Sequence, residues 1–256
     1  MRIKMYPDGT QDVLVASRAI FREPGWEEER PKVKCSSGKG SGGADDRARR
    51  RARSTVRDYC MANTDLRYFV TLTIAPDKLD RYDINAIMSK ANRWLDNRVR
   101  RNGLKYVLVP ELHKDGAVHF HGLINDSLGL VDSGTLTGGG LSRPRRPKSG
   151  AERKRLLASG AHVVYNVPDW KFGFSTAIEL YGERSAAVSY VCKYISKSPA
   201  KIGGRWYYSG GQLDRAEVLL YDVDWLDVDR SGSWVIPELN CECVNLVEKV
   251  LKDELC

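Results

Sequence analysis

The sequence predicts an α+β fold, an antiparallel sheet with helices on one face, and three segments carry that prediction. "YFVTLTIA", residues 68–75, is dense in β-branched and aromatic residues, which is strand chemistry. "INAIMSKANRWLDNRVRRNG", 84–103, repeats Ile84, Ile87, Met88, Ala91, Leu95 and Val99 at helical spacing, and Gly103 stands where a helix stops. "KYVLVPEL" and "AVHFHGLIND", 105–112 and 117–126, are two apolar runs joined by "HKDG", the composition of a hairpin turn. Strand, helix and hairpin in this order favour an antiparallel sheet that carries its helices on one side.

The flanking segments differ in composition. Residues 1–65 read as a basic N-terminal region. It contains a small-residue linker, "CSSGKGSGGADD" (35–46), and then an Arg-rich helix, "RARRRARSTVRDYC" (47–60). Six arginines (Arg47, Arg49, Arg50, Arg51, Arg53 and Arg57) fall within eleven positions there, and a bound phosphate backbone would relieve their repulsion. Residues 66–215 form the central domain. Within it the Gly-, Pro- and Arg-rich stretch at about 129–160 is expected to be an exposed, mobile insertion. "HVVYNVPDWKFGFSTAIEL", 162–180, reads as strands, followed by a helix over 183–198 that Pro199 ends. Residues 216–256 form a C-terminal extension with an amphipathic tail.

Composition narrows the function. Apolar residues make up 42% of the chain, too many for wholesale disorder. Lys plus Arg exceed Asp plus Glu by 41 − 33 = 8, which points to a polyanionic partner such as nucleic acid. The opening residues lack the apolar core of a signal peptide and no stretch approaches membrane-spanning length, so a cytoplasmic protein with no membrane partner is expected. The six cysteines show neither a disulfide framework nor a CxxC pair, which disfavours a zinc site made from Cys35, Cys60, Cys241 and Cys243.

Two of the four histidines, His119 and His121, lie two positions apart in an apolar run. Strand alternation points both to one face, and Val118, Phe120, Gly122 and Ile124 to the other. A three-residue loop, Asp115-Gly116-Ala117, would set His113 opposite His119 and Glu111 opposite His121, all on the same face. Glu111, His119 and His121 are thus candidate ligands for Mg²⁺ or Mn²⁺. His113 is taken as a rim residue.

"AVSYVCKYISKS" then places Tyr190, Lys193, Tyr194 and Lys197 at i, i+3, i+4 and i+7 of a helix. A stripe with two ammonium groups is no ordinary core face. A phenol needs help to act as a nucleophile, and a metal or cation that neutralises a phosphodiester supplies it.

The strand "FVTLTI", the "HFH" of "HKDGAVHFHGLI" and the helix motif "YVCKY" resemble, in this order, the three motifs of HUH endonucleases. The two tyrosines are similar to those of the rolling-circle initiators of small single-stranded DNA phages. The resemblance covers roughly residues 66–200. It implies the HUH endonuclease fold, a ferredoxin-like antiparallel sheet with the HxH on a central strand. It also implies metal-dependent nicking and rejoining of single-stranded DNA at a hairpin origin through a 5′-phosphotyrosine. Tyr190 would attack first and Tyr194 second, with Lys193 neutralising phosphate. Arg47, Arg49, Arg50, Arg51, Arg53, Lys197 and Arg205 of "RWYY" would contact DNA. The sequence has no GxxxxGK[ST] motif, so a separate helicase and a polymerase of a bacterial host would be partners.

Two rivals stand beside this reading. A transposase or relaxase would share the chemistry, but relaxases usually place their tyrosine upstream of the HxH. A non-enzymatic single-strand binder would explain the charge but leave Glu111, the histidines and the Tyr/Lys stripe as coincidence.

Overall fold

The structure is a computed structural model that describes residues 2–16, 41–220, 234–236 and 241–246. The chain divides into two compact units, Arg47–Asp214 and a unit made from Met1–Asp46 with Arg215–Cys256. Residues 1–46 of the expected N-terminal region thus fall in one unit with the C-terminal extension, and residues 47–65 fall in the central one. The sheet of the terminal unit joins β1 (Arg2–Met5) and β2 (Gln11–Ala16) to three strands from the other end of the chain. These are β10 (Glu217–Leu220), β11 (Trp234–Ile236) and β12 (Cys241–Leu246), in the order β10-β1-β2-β12-β11. The start of the expected amphipathic tail is thus strand, and the remainder, like Cys35, lies outside the described residues.

The central unit is α+β, as expected, with a seven-stranded antiparallel sheet. It contains β3 (Tyr68–Thr73), β4 (Tyr106–Leu112), β5 (Val118–Ile124), β6 (Val131–Gly138), β7 (Ala161–Asn166), β8 (Ser175–Glu179) and β9 (Tyr208–Gly210), ordered β6-β7-β8-β3-β5-β4-β9. The four strands β8-β3-β5-β4 have the 4-1-3-2 order of a ferredoxin-like sheet, and β5, which carries both histidines, is flanked by β3 and β4. The architecture is that of the HUH endonuclease fold. Four helices occur among the described residues: α1 (Ser41–Ala62), α2 (Ile84–Asn102), α3 (Gly150–Ala158) and α4 (Arg184–Lys197).

The helices cover both faces rather than one. On one face α2 buries Ile87, Met88, Ala91, Trp94 and Leu95 against Val70 and Leu72 of β3, Leu108 of β4 and Phe120 of β5. On the other, α4 packs on β4 and β5 and its tyrosines meet Phe69 and His121. The sequence explains the sandwich, because Tyr106 to Pro110 are buried without a break, which a strand wet on one side does not allow.

The ends of α2 follow its sequence. Asp83 accepts a hydrogen bond from the Ala86 amide, and Gly103 closes the helix at φ 69°. The stretch at 129–160 is not a loose insertion. It supplies β6, which pairs with β7, and α3, whose Leu156 packs on Leu136 and Ala161. Gly134 and Ser133 hid the strand, but a bulge between Asp132 and Thr135 accommodates them. The linker expectation also ends early, since α1 already begins at Ser41.

Candidate active site

The β4–β5 hairpin builds the site. Its register pairs Glu111 with His119 and Val109 with His121, two residues away from the expected pairing. The loop is Lys114-Asp115-Gly116, closed by bonds from the His113 amide to the Ala117 carbonyl and from the Gly116 amide to the His113 carbonyl. In this loop type the left-handed residue comes last, and Gly116 takes it at φ 86°. Asp115 pins the turn by accepting from the Ala117 amide, meeting His113 Nδ1 at 3.2 Å and pairing with Arg81. A shift of two residues preserves alternation, so Glu111, His119 and His121 share one face.

His121 is the hub. Its Nε2 lies 3.1 Å from Glu111 Oε2 and its Nδ1 3.1 Å from Thr71 Oγ1, the side chain directly across the ladder on β3. Burial, then the neighbouring His119 and Lys197, push its pKa down to about 4. The ring is therefore neutral near pH 7, and its contact with Glu111 is not an ion pair. In the tautomer that donates from Nδ1 to Thr71, the Nε2 lone pair stands beside the Glu111 carboxylate, open to a cation.

Those two donors fit a shared divalent ion, because neighbouring ligands at about 2.1 Å from an octahedral centre stand roughly 3 Å apart. His119 is less committed. It is half-buried, its pKa is lowered chiefly by burial, and its ring stacks on exposed His113 at 5.1 Å. Among the described residues, no three His, Cys, Asp or Glu side chains already converge as a complete ligand set.

The helix α4 brings the phenols. Val188, Val191, Cys192 and Ile195 bury its inner stripe, and the helix ends at Ser198 before Pro199. Tyr194 is buried, with its ring lying flat on that of His121. Its hydroxyl donates to the Tyr190 oxygen at 2.8 Å, and burial together with that bond raises the Tyr194 pKa. Tyr190 is 51% exposed and touches Phe69, 5.6 Å between ring centroids. The Lys197 ammonium sits over the Tyr194 ring at 5.4 Å. Lys193 is exposed on the same helix, and no bond or ring contact joins it to the tyrosines among the described residues.

Arg47, Arg50, Arg51 and Arg53 are exposed on α1 and Arg49 is half-buried, while Ala52, Val56 and Cys60 form the helix's buried stripe. This helix adjoins α4: the Cys192 thiol reaches the Arg53 carbonyl, and Arg184 donates to the carbonyls of Cys60, Asn63, Thr64 and Leu66. Arg205 lies over the Tyr208 ring at 5.8 Å, with no contact to Tyr190 or Tyr194 among the described residues. Sequence reasoning missed Thr71 and Phe69. Both lie inside "FVTLTI", and their odd positions, like Thr73, signal a shared face with the histidines.

No helix among the described residues is long and apolar enough to cross a membrane. Neither curated proteins nor solved structures gave a match. The profile of the replication-associated protein ORF2 family, by contrast, matches residues 67–199, a span that includes β3, the hairpin and all of α4. With just over half of its length matched, from the strand bearing Thr71 to the helix bearing both tyrosines, the chain belongs to the replication-associated protein ORF2 family, whose role is in initiating replication.

Proposed function

We propose that this chain is a two-tyrosine HUH rolling-circle initiator that nicks and rejoins single-stranded DNA at a hairpin origin. The observation that carries the reading is one chain of contacts, in which Glu111 meets His121, His121 stacks on Tyr194, and Tyr194 bonds to Tyr190. Carboxylate, imidazole and phenol chemistry thereby meet at one place, as phosphoryl transfer to a tyrosine requires.

Glu111, His119 and His121 would hold Mg²⁺ or Mn²⁺, which when bound polarises the scissile phosphate. Tyr190, the exposed phenol, attacks phosphorus. Its proton leaves to solvent, the P–O3′ bond breaks, and the departing oxygen takes a proton to become a free 3′-OH. The products are a 5′-phosphotyrosine and a primer for a host polymerase. By donating to the Tyr190 oxygen, Tyr194 eases loss of the Tyr190 proton, the step in which negative charge gathers there. Lys197, over the Tyr194 ring, adds positive potential, and Lys193 would neutralise phosphate from the exposed side of the helix. Tyr194 serves as the second nucleophile after its ring leaves His121. The α1 arginines and Arg205 would contact DNA backbone, and a separate helicase would unwind the duplex, in the cytoplasm of a bacterial host.

The test uses labelled single-stranded oligonucleotides spanning candidate hairpin origins, incubated with Mn²⁺ or Mg²⁺ and resolved on a denaturing gel. A metal-dependent covalent band with the wild type, absent from the Tyr190→Phe/Tyr194→Phe double variant, is expected. A band that survives the double variant moves the nucleophile elsewhere, and binding without any band favours a non-enzymatic binder.

A further inference from the structure

The face that carries Tyr190 extends past the catalytic residues. While α4 lies over β4 and β5, β8 presents Thr176 exposed and Ile178 half-buried, opposite Thr71 and Phe69 of β3. Just before β8, Phe174 is 80% exposed, and its carbonyl accepts from the Thr73 amide. Thr73 pairs in turn with His119. Two strand spacings, roughly 10 Å, therefore separate the Phe174 backbone from that of His119.

Just beyond the other end of β8, Tyr181 is 55% exposed and lies on His162 of β7, ring centroids 3.7 Å apart and planes within 5°. The neighbouring Gly138, at φ 73°, makes room for this pair, because a side chain there would begin 3.1 Å from the His162 ring. Tyr190 falls between the two aromatic stations, since its partner Phe69 faces Ile178 midway along β8.

We propose that Phe174 on one side, and the Tyr181–His162 stack on the other, are base-stacking platforms for the unpaired nucleotides that flank the scissile phosphate. The proposal rests on the single-strand substrate inferred above and names how that strand is held. Every base has a π-face, so exposed rings bind unpaired bases with little regard to sequence. A ring already stacked on one side offers its second side to a base in the same orientation. The exposed Thr176 hydroxyl between the stations suits a sugar or phosphate oxygen.

The experiment measures fluorescence anisotropy of a labelled unpaired 15-mer with the full chain in chelator, where no nicking occurs. Phe174→Ala and Tyr181→Ala should each weaken binding roughly 5- to 150-fold. Phe174→Trp should restore it and Phe174→Leu should not. An abasic 15-mer of equal charge should bind wild type and variants alike. Wild-type affinity in the alanine variants, equal binding by the Leu variant, or no binding of the 15-mer by the wild type overturns the proposal. The covalent-band assay with metal is read separately. Platform loss without a band leaves the platforms standing and removes the nickase, whereas a band with unaltered binding does the reverse.

Discussion

Tyr194 lies flat against His121, ring centroids 4.1 Å apart and planes within 5°, while its hydroxyl donates to Tyr190. The two phenols are therefore unequal: one is an exposed acceptor, the other a buried donor. Tyr190→Phe should abolish the first covalent band. Tyr194→Phe should keep it but slow its formation about fivefold, the worth of one neutral hydrogen bond. Time courses on denaturing gels distinguish them, and equal loss in both variants would contradict the asymmetry.

Thr71 fixes the His121 ring through Nδ1. Thr71→Val keeps the strand residue and its volume but removes that partner, so Mn²⁺ affinity should fall about 10- to 100-fold with little change in thermal stability. Isothermal titration measures the first and a melting curve the second. Unchanged affinity would mean that packing against Tyr194 alone orients the ring.

Glu152 accepts from Arg145 and from the Lys148 amide, and the Arg145 bond is the first cause of its lowered pKa. Because the folded value lies below the unfolded one, this stabilisation is present above the ordinary glutamate range and is lost as pH falls through the folded value. Amide protection factors in 145–158, taken against the intrinsic exchange rate at each pH, should fall on acidification below about pH 4.5. Glu152→Gln should flatten that response. Acid-insensitive protection in the wild type would show that Leu156 packing alone holds α3.

Gly122 faces the neighbouring strand so closely that an added Cβ would sit 1.9 Å from the Val107 carbonyl oxygen. Gly122→Ala must push β5 from β4 at the ladder pair next to His121. A loss of about 3 kcal/mol or more in urea denaturation is expected, with metal binding impaired at temperatures where the variant remains folded. A near-neutral variant would mean that the hairpin yields easily, and the metal geometry with it.

Much of this was legible because strand alternation is robust. Glu111, His119 and His121 share a face under any loop that keeps the same parity, so the face could be read while the register could not. Gly116 fits a three-residue loop at its centre or its end, and only the Asp115 bonds select the end. The strand β6 was illegible because "VDSGTLTG" has weak intrinsic preference and gains its structure from β7 and from the bridge between Leu136 and Arg145. The terminal sheet pairs residues about two hundred positions apart, as in Leu14 with Cys243, and no local pattern announces that. Lys193 and Lys197 look equivalent on a helical wheel, yet only Lys197 meets a tyrosine ring, because α4 turns that edge toward β5.

The Arg184 guanidinium, which gathers four carbonyls at the end of α1, has a mechanical consequence. It welds the arginine helix to the start of the tyrosine helix, so α4 cannot tilt without breaking charge-assisted bonds. The helix backbone that carries the phenols thus sits at a fixed address. Any phosphodiester that meets Tyr190 has to come to it, and the energetic selection among DNA sequences then falls on how cheaply each one bends into that position.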